Sequence, residues 1–165
     1  MPNTMKTLTL NATWEPRPDY EITPAELKTR KANNASNVLK KPTLELVRNP
    51  IPLIAEDEVL IKVKACGICG SDIHCYEQDD QGYILFSGAV RTPVIIGHEF
   101  SGEVIETGDN ISDLKVGDAV TSESIRWCGI CTQCRTGNFN QCQRIELVGL
   151  SSPGAFAEYI AIKEK

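Results

Sequence analysis

The chain has 165 residues, 41% of them hydrophobic, which suffices for one domain with its own core and leaves the seven cysteines free for local purposes. A formal charge of −5, with no cluster of Lys and Arg, excludes the phosphate-neutralising surface of a nucleic-acid binder. Residues 1–14 carry no continuous apolar stretch and runs such as "PVIIG" are far too short to span a bilayer, so a soluble, cytoplasmic protein with no membrane partner is expected.

In chain order, the first strand is expected over Lys6 to Ala12. Residues 15–43, rich in Pro, Asn, Lys and Thr, read as an excursion leading to a second extended segment at Thr43 to Val47. One short helix interrupts it: in "TPAE", Thr23 caps, Pro24 takes the first helical position and Glu26 closes a capping box. From residue 58 the pattern turns to short alternating runs broken by glycine. "EVLIKVKA" sets Val59, Ile61, Val63 and Ala65 against Leu60, Lys62 and Lys64, and "FSGEVIETG" sets Phe100, Gly102 and Val104 against Ser101 and Glu103. "VGDAVTS" supplies another strand, and "GAFAEYIAI" closes the series with Ala155, Ala157 and Tyr159 opposing Phe156, Glu158 and Ile160. The expected fold is mainly β, a small sandwich or partly open barrel with few short helices.

Four cysteines, Cys128, Cys131, Cys134 and Cys142, fall within residues 127–142 at gaps of two, two and seven residues. Two-residue gaps let a turning backbone aim successive thiolates at one point, and a fourth ligand completes a tetrahedron, the pattern of a closed structural zinc site. Gly129 and Gly137 supply turn freedom, Gly137 at the end of a short helix begun near Thr132. Two disulfides are one alternative, disfavoured by adjacent CxxC spacing without a secretion signal. An iron-sulfur cluster is the other; its usual run places the fourth cysteine after three residues and before proline, whereas here the gap is seven and Gln143 follows.

The second constellation is "ACGICGSDIH" followed by "PVIIGHE", which hold both histidines of the chain, His74 and His98. Cys69 and His98 would give a zinc ion two soft ligands and leave room for a third protein ligand and an exchangeable oxygen. Glu99 and Asp72 would then fix ligands and compensate charge, and Ser71 with His74 would carry a proton outward. The plainer readings are a core role for Cys66, a Cys66–Cys69 redox pair, and turn chemistry for Ser71 and Asp72.

"CGICGSDIH", "GHEFSGEVIETG", "VGDAV" and "CGICTQCRTGNFNQC", in this order, resemble the zinc-containing medium-chain alcohol and polyol dehydrogenases from about Glu58 onward. The resemblance implies a GroES-like, partly open β-barrel catalytic domain. It implies Cys69 and His98 as catalytic zinc ligands with Glu99 as the carboxylate at that zinc, Ser71 and His74 as proton relay, Asp72 behind the ligands, and Cys128, Cys131, Cys134 and Cys142 as structural zinc ligands. The implied reaction is oxidation of a secondary alcohol, with Zn2+ acidifying the hydroxyl and NAD or NADP taking the hydride. Gly70 is similar to the sorbitol and threonine members, and "WEPRPDYE" with "DDQGYILFSGAVRTP" to those acting on scyllo-inosose, so a polyol or cyclitol substrate and a homo-oligomeric full-length enzyme are expected. No GxGxxG follows a strand, so the Rossmann half is not expected in this chain, and the third zinc ligand is expected beyond Lys165. Residues 1–165 are therefore read as a GroES-like catalytic domain cut short at its C-terminal side and inactive alone. A zinc-stabilised non-enzymatic binding module and an iron-sulfur electron carrier are the alternatives.

Overall fold

A computed structural model describes residues 3–164. Eleven strands and three short α-helices are formed among the described residues. The strands are β1 (Thr4–Trp14), β2 (Lys31–Ala32), β3 (Leu39–Pro50), β4 (Glu58–Gly67), β5 (Val90–Arg91), β6 (Val94–Ile95), β7 (Glu99–Thr107), β8 (Ala119–Thr121), β9 (Ile125–Arg126), β10 (Glu146–Leu147) and β11 (Tyr159–Lys163). The helices are α1 (Pro24–Thr29), α2 (Gly70–His74) and α3 (Thr132–Arg135). The mainly β expectation holds. The strands assemble as β3-β1-β6, β11-β4-β7-β8 and two two-stranded ladders, β2 with β5 and β9 with β10; no closed ring links them among the described residues. None of the described helices is long and apolar enough to cross a membrane.

The first two strands are longer than the local alternation suggests, because each is the other's partner. β1 and β3 pair antiparallel from Thr4 opposite Pro50 to Trp14 opposite Leu39, with one irregularity between Asn11 and Thr13. Their hydrogen bonds hold residues whose side chains carry no period-two signal. The helix between them forms as expected: the Thr23 hydroxyl accepts from the Glu26 N–H at 3.2 Å, and a Glu26 oxygen accepts from the Thr23 N–H at 3.0 Å. Glu26 is only 1% exposed, and its other oxygen accepts from Tyr20 and from the Asn33 N–H. Burial opposes the charge, but these donors outweigh it and hold the carboxyl below its ordinary value.

Two departures matter for the site. Ala65, expected on the Val59, Ile61 and Val63 face, is exposed, and Cys66 packs against the core instead. A register shift between Val63 and Ala65 opposite β7 leaves Lys64 unpaired and turns the end of the strand over. Leu60, expected on the polar face, is buried as well. The last expected strand begins only at Tyr159. Residues 154–158 bend between the sheets and bond to both: Gly154, Ala155 and Phe156 donate to the carbonyls of Ile95, Gly97 and Ile96, Leu8 donates to Phe156, and Val63 donates to Glu158. That seam joins the two main sheets.

One apolar cluster around Leu10, Leu39, Val90 and Leu150 lies under the three-stranded sheet, and another around Ile61, Phe100, Val104 and Ile160 lies under the four-stranded sheet. At their junction three glycines bring three stretches of backbone into direct contact. A Cβ on Gly154 would sit 2.3 Å from the Gly97 carbonyl oxygen and 2.5 Å from the Gly149 Cα, and Gly97 itself has φ of +91°. Nothing on those backbones can yield as a flexible side chain would. Gly154→Ala should therefore destabilise the fold by about 1–3 kcal/mol; an unchanged urea midpoint would show that the crossing is loose.

Candidate metal centres

The antiparallel β4–β7 ladder creates the first centre. It sets Gly67 opposite Glu99 and Cys66 opposite Phe100, so the loop leaving β4 and the loop entering β7 meet at one end of the sheet. Cys69 lies at the start of α2, His98 immediately precedes β7 and Glu99 opens it. The Cys69 sulfur, a His98 ring nitrogen and a Glu99 carboxylate oxygen lie within 4.8 Å of one another. Gly67 leaves space for that carboxylate: a Cβ there would stand 3.1 Å from Glu99 Oε2.

Asp72 draws these pieces together. It is 4% exposed; Oδ2 accepts the Cys69 N–H at 3.0 Å, Oδ1 accepts the Gly97 N–H at 3.3 Å, and the same oxygen lies 3.6 Å from His98 Nδ1. That ring nitrogen is buried and has no hydrogen-bond partner among the described residues, while Nε2 contacts the Ser71 hydroxyl at 3.3 Å. One sulfur, one imidazole nitrogen and one exposed carboxylate form a donor set that fits zinc. His74 does not join it. It lies at the exposed end of α2, with Nδ1 3.1 Å from Glu77 Oε2, and no hydrogen bond links it to Ser71 among the described residues. The Cys66 thiol is raised, chiefly by burial, and its sulfur contacts the Gly67 carbonyl at 3.7 Å, which is the core role and not that of a reactive redox thiol.

The second centre is the lobe between β9 and β10. All four sulfurs, of Cys128, Cys131, Cys134 and Cys142, lie within 4.8 Å of one another, and all seven cysteines of the chain are free, so no disulfide forms. α3 starts at Thr132 and Gly137 follows its end with φ of +82°, as the spacing predicts. The backbone turns its N–H groups onto sulfur: Cys128 and Arg144 donate to Cys142, each at 3.3 Å. The N–H groups of Cys134 and Gln143 pull the Cys131 thiol down to about 6, and those of Ile130 and Cys131 lower Cys128. Cys134, by contrast, is pushed up to about 12 by burial and by the neighbouring sulfur groups. Four sulfurs in this arrangement cannot all be thiolates without a cation among them, which is the chemistry of a closed tetrathiolate metal site.

The lobe stands on the short β9–β10 ladder, with Arg126 bonded to Glu146 at 2.5 Å and the Trp127 and Phe139 rings 5.0 Å apart. Residue spacing carries no sign of this base, nor of Gly67 and Gly154, whose role depends on which backbone approaches them.

Residues 55–165 match the family model described as the alcohol dehydrogenase GroES-like domain, and the chain belongs to that family. It is 38% identical over 168 residues to scyllo-inosose 3-dehydrogenase of Thermotoga maritima, covering 98% of this chain and 42% of that protein. To L-threonine 3-dehydrogenase of Caldanaerobacter subterraneus it is 44% identical over 124 residues, covering 75% of this chain and 35% of the relative. A solved structure from Thermotoga maritima, provisionally assigned as an alcohol dehydrogenase, superposes with a TM-score of 0.92 at 38% identity, over 96% of this chain and 42% of that one. Another from Sinorhizobium meliloti, provisionally assigned as a zinc-binding dehydrogenase and bound to NADP, gives 0.66 at 27% identity, over 98% and 37%. The chain thus spans less than half the length of each.

Asp72→Ala would leave the Cys69 and Gly97 N–H groups without their acceptor at the edge of the core. A loss of about 2 kcal/mol or more is expected in denaturant unfolding with chelator present, so that metal affinity does not contribute. A midpoint equal to that of the unaltered chain would mean that Asp72 is not what gathers the loops.

Proposed function

We propose that these residues are the N-terminal part of the catalytic domain of a zinc-dependent NAD(P) dehydrogenase that oxidises a secondary alcohol of a polyol or cyclitol to a ketone. The observation that carries this reading is the convergence of Cys69, His98 and an exposed Glu99 at one point while four other sulfurs, two of them buried, gather at another. Cys69, His98 and Glu99 would hold the catalytic zinc, and Cys128, Cys131, Cys134 and Cys142 a structural zinc. Zinc supplies Lewis acidity toward a substrate hydroxyl, and the nicotinamide cofactor takes the electrons.

The chain's own groups supply orientation and a proton path. Asp72 fixes the Cys69 and Gly97 backbones and faces His98, so the donors arrive preformed. Ser71, beside His98 Nε2, is the first acceptor of the substrate proton. His74, three residues along α2 and open to solvent beside Glu77, is the outlet. Since the two share no direct hydrogen bond, the proton crosses between them through an intervening hydroxyl.

The cyclitol substrate class is supported by the Thermotoga relative, which aligns across the N-terminal excursion as well as the matched domain. The nicotinamide site, the oligomer and turnover itself are assigned to a polypeptide of the relatives' full length, acting in the cytoplasm.

Metal analysis of the purified chain should find zinc held by the lobe and a second equivalent bound more weakly upstream. Cys131→Ser should abolish the tight equivalent and lower the melting temperature, because ligand loss removes metal-linked folding energy. Iron with visible absorbance would instead make this an electron carrier. In the full-length protein, NAD(P)-dependent oxidation of a cyclitol is expected, and Ser71→Ala should cut kcat by about a hundredfold or more; no turnover of any secondary alcohol would leave only a zinc-stabilised binding module.

A further inference from the structure

The N-terminal excursion reaches the four-sulfur lobe through one side chain. Lys31 Nζ donates to the Ile145 carbonyl at 2.6 Å, across 114 residues of sequence. Ile145 closes the turn that wraps the last sulfur: its N–H donates to the Cys142 carbonyl at 3.2 Å, and the Arg144 N–H donates to Cys142 Sγ. At its other end Lys31 is fixed to the body, since β2 pairs with β5, Lys31 opposite Arg91, and the adjacent Ala32 is fully buried. The lobe's own attachment is slight, two residues of β9 against two of β10.

Burial and the neighbouring Arg91 hold the Lys31 ammonium below its ordinary value, while Glu146 and the Cys142 sulfur pull the other way and favour its charge. Glu146 is already engaged by Arg126. Four thiolates around one divalent cation leave a net negative centre, for which a half-buried ammonium on its exit limb is a natural counter-charge.

We propose that Lys31 is a positioning residue for the lobe: its ammonium grips the limb that carries Cys142 and so sets how long the lobe retains its metal. This rests on reading the lobe as a zinc site. Lys31 lies outside residues 55–165, the part matched by the family model, so the excursion contributes a function that the matched domain does not contain.

The test uses the whole chain, zinc-loaded, in a Cys69→Ser background that removes the upstream donor set, with release followed by the colour of excess 4-(2-pyridylazo)resorcinol. Lys31→Met and Lys31→Gln should each release zinc about tenfold or more faster, because neither carries the cation. Lys31→Arg should restore retention, and Lys28→Met, on the exposed last turn of α1, should leave it unchanged. In the cobalt(II)-loaded chain, the thiolate charge-transfer band should shift in Lys31→Met but not in Lys28→Met, a readout that a purely structural tie would not move. If both charge-free variants keep zinc as long as the unaltered chain, or the cobalt band stays in place, the inference is overturned while the zinc reading stands. A purified chain with no zinc on its thiols overturns both.

Discussion

The antiparallel register of β4 against β7 is the constraint on which the rest depends. It sets Gly67 across from Glu99, so the cysteine-bearing loop and the histidine-bearing loop share one end of one sheet although 29 residues separate Cys69 from His98. A slip of one residue would move Glu99 to the other face and leave Cys69 without its partners. The register is secured by burial of Ile61, Phe100 and Val104 on one side and by the Gly97, Gly149 and Gly154 crossing at its end. The sheet sets where the two loops meet, and Asp72 gathers their backbones there.

The two centres differ in what surrounds the sulfur. In the lobe, backbone N–H groups point inward at Cys128, Cys131 and Cys142, a local fold that solvates thiolates without water and leaves no coordination position for a substrate. At the upstream site the donors come from two separate loops meeting at one end of the β4–β7 ladder, are of three chemical kinds, and include an exposed carboxylate. Tight local wrapping suits retention; ligands drawn from distant elements suit exchange.

Much of this was legible in the sequence because it is encoded locally. The capping box of Thr23 and Glu26 and the CxxCxxC turn each act within a few residues, and both appear as expected. The alternation in Phe100–Val104 survives because β7's own irregularity falls just beyond it, at Ile105, whereas the alternation in β4 fails at Lys64, where a bulge inserts a residue that no side-chain pattern announces. Residues 154–158 alternate like a strand yet serve two sheets at once, which depends on partners elsewhere in the chain. The sequence sets His98 with Cys69 and gives His74 an outward role, and the direction of α2 shows why: it carries His74 to its exposed end, away from Cys69. Lys31 is one lysine in an aperiodic, polar tract, and only the fold brings it against Ile145.

That tract gives the architecture its last element. Arg17 stacks over the Tyr83 ring at 3.9 Å and bonds Asp79 and Gln81, in the segment that follows α2; from there the Leu85 and Phe86 N–H groups return to the His74 carbonyl, each at 3.0 Å. Fourteen residues later in the same excursion, Lys31 donates to the Ile145 carbonyl beside the lobe. One stretch outside the matched domain thus braces both the helix of the open site and the limb of the closed one. A segment with so little periodic structure of its own is ordered by charged anchors, Arg17 at one end and Lys31 at the other. Glu26 between them, 1% exposed, and the fully buried Ala32 and Val38 just beyond Lys31 tie it to the core. The excursion belongs to the scaffold of the sites and is more than a connection between two strands.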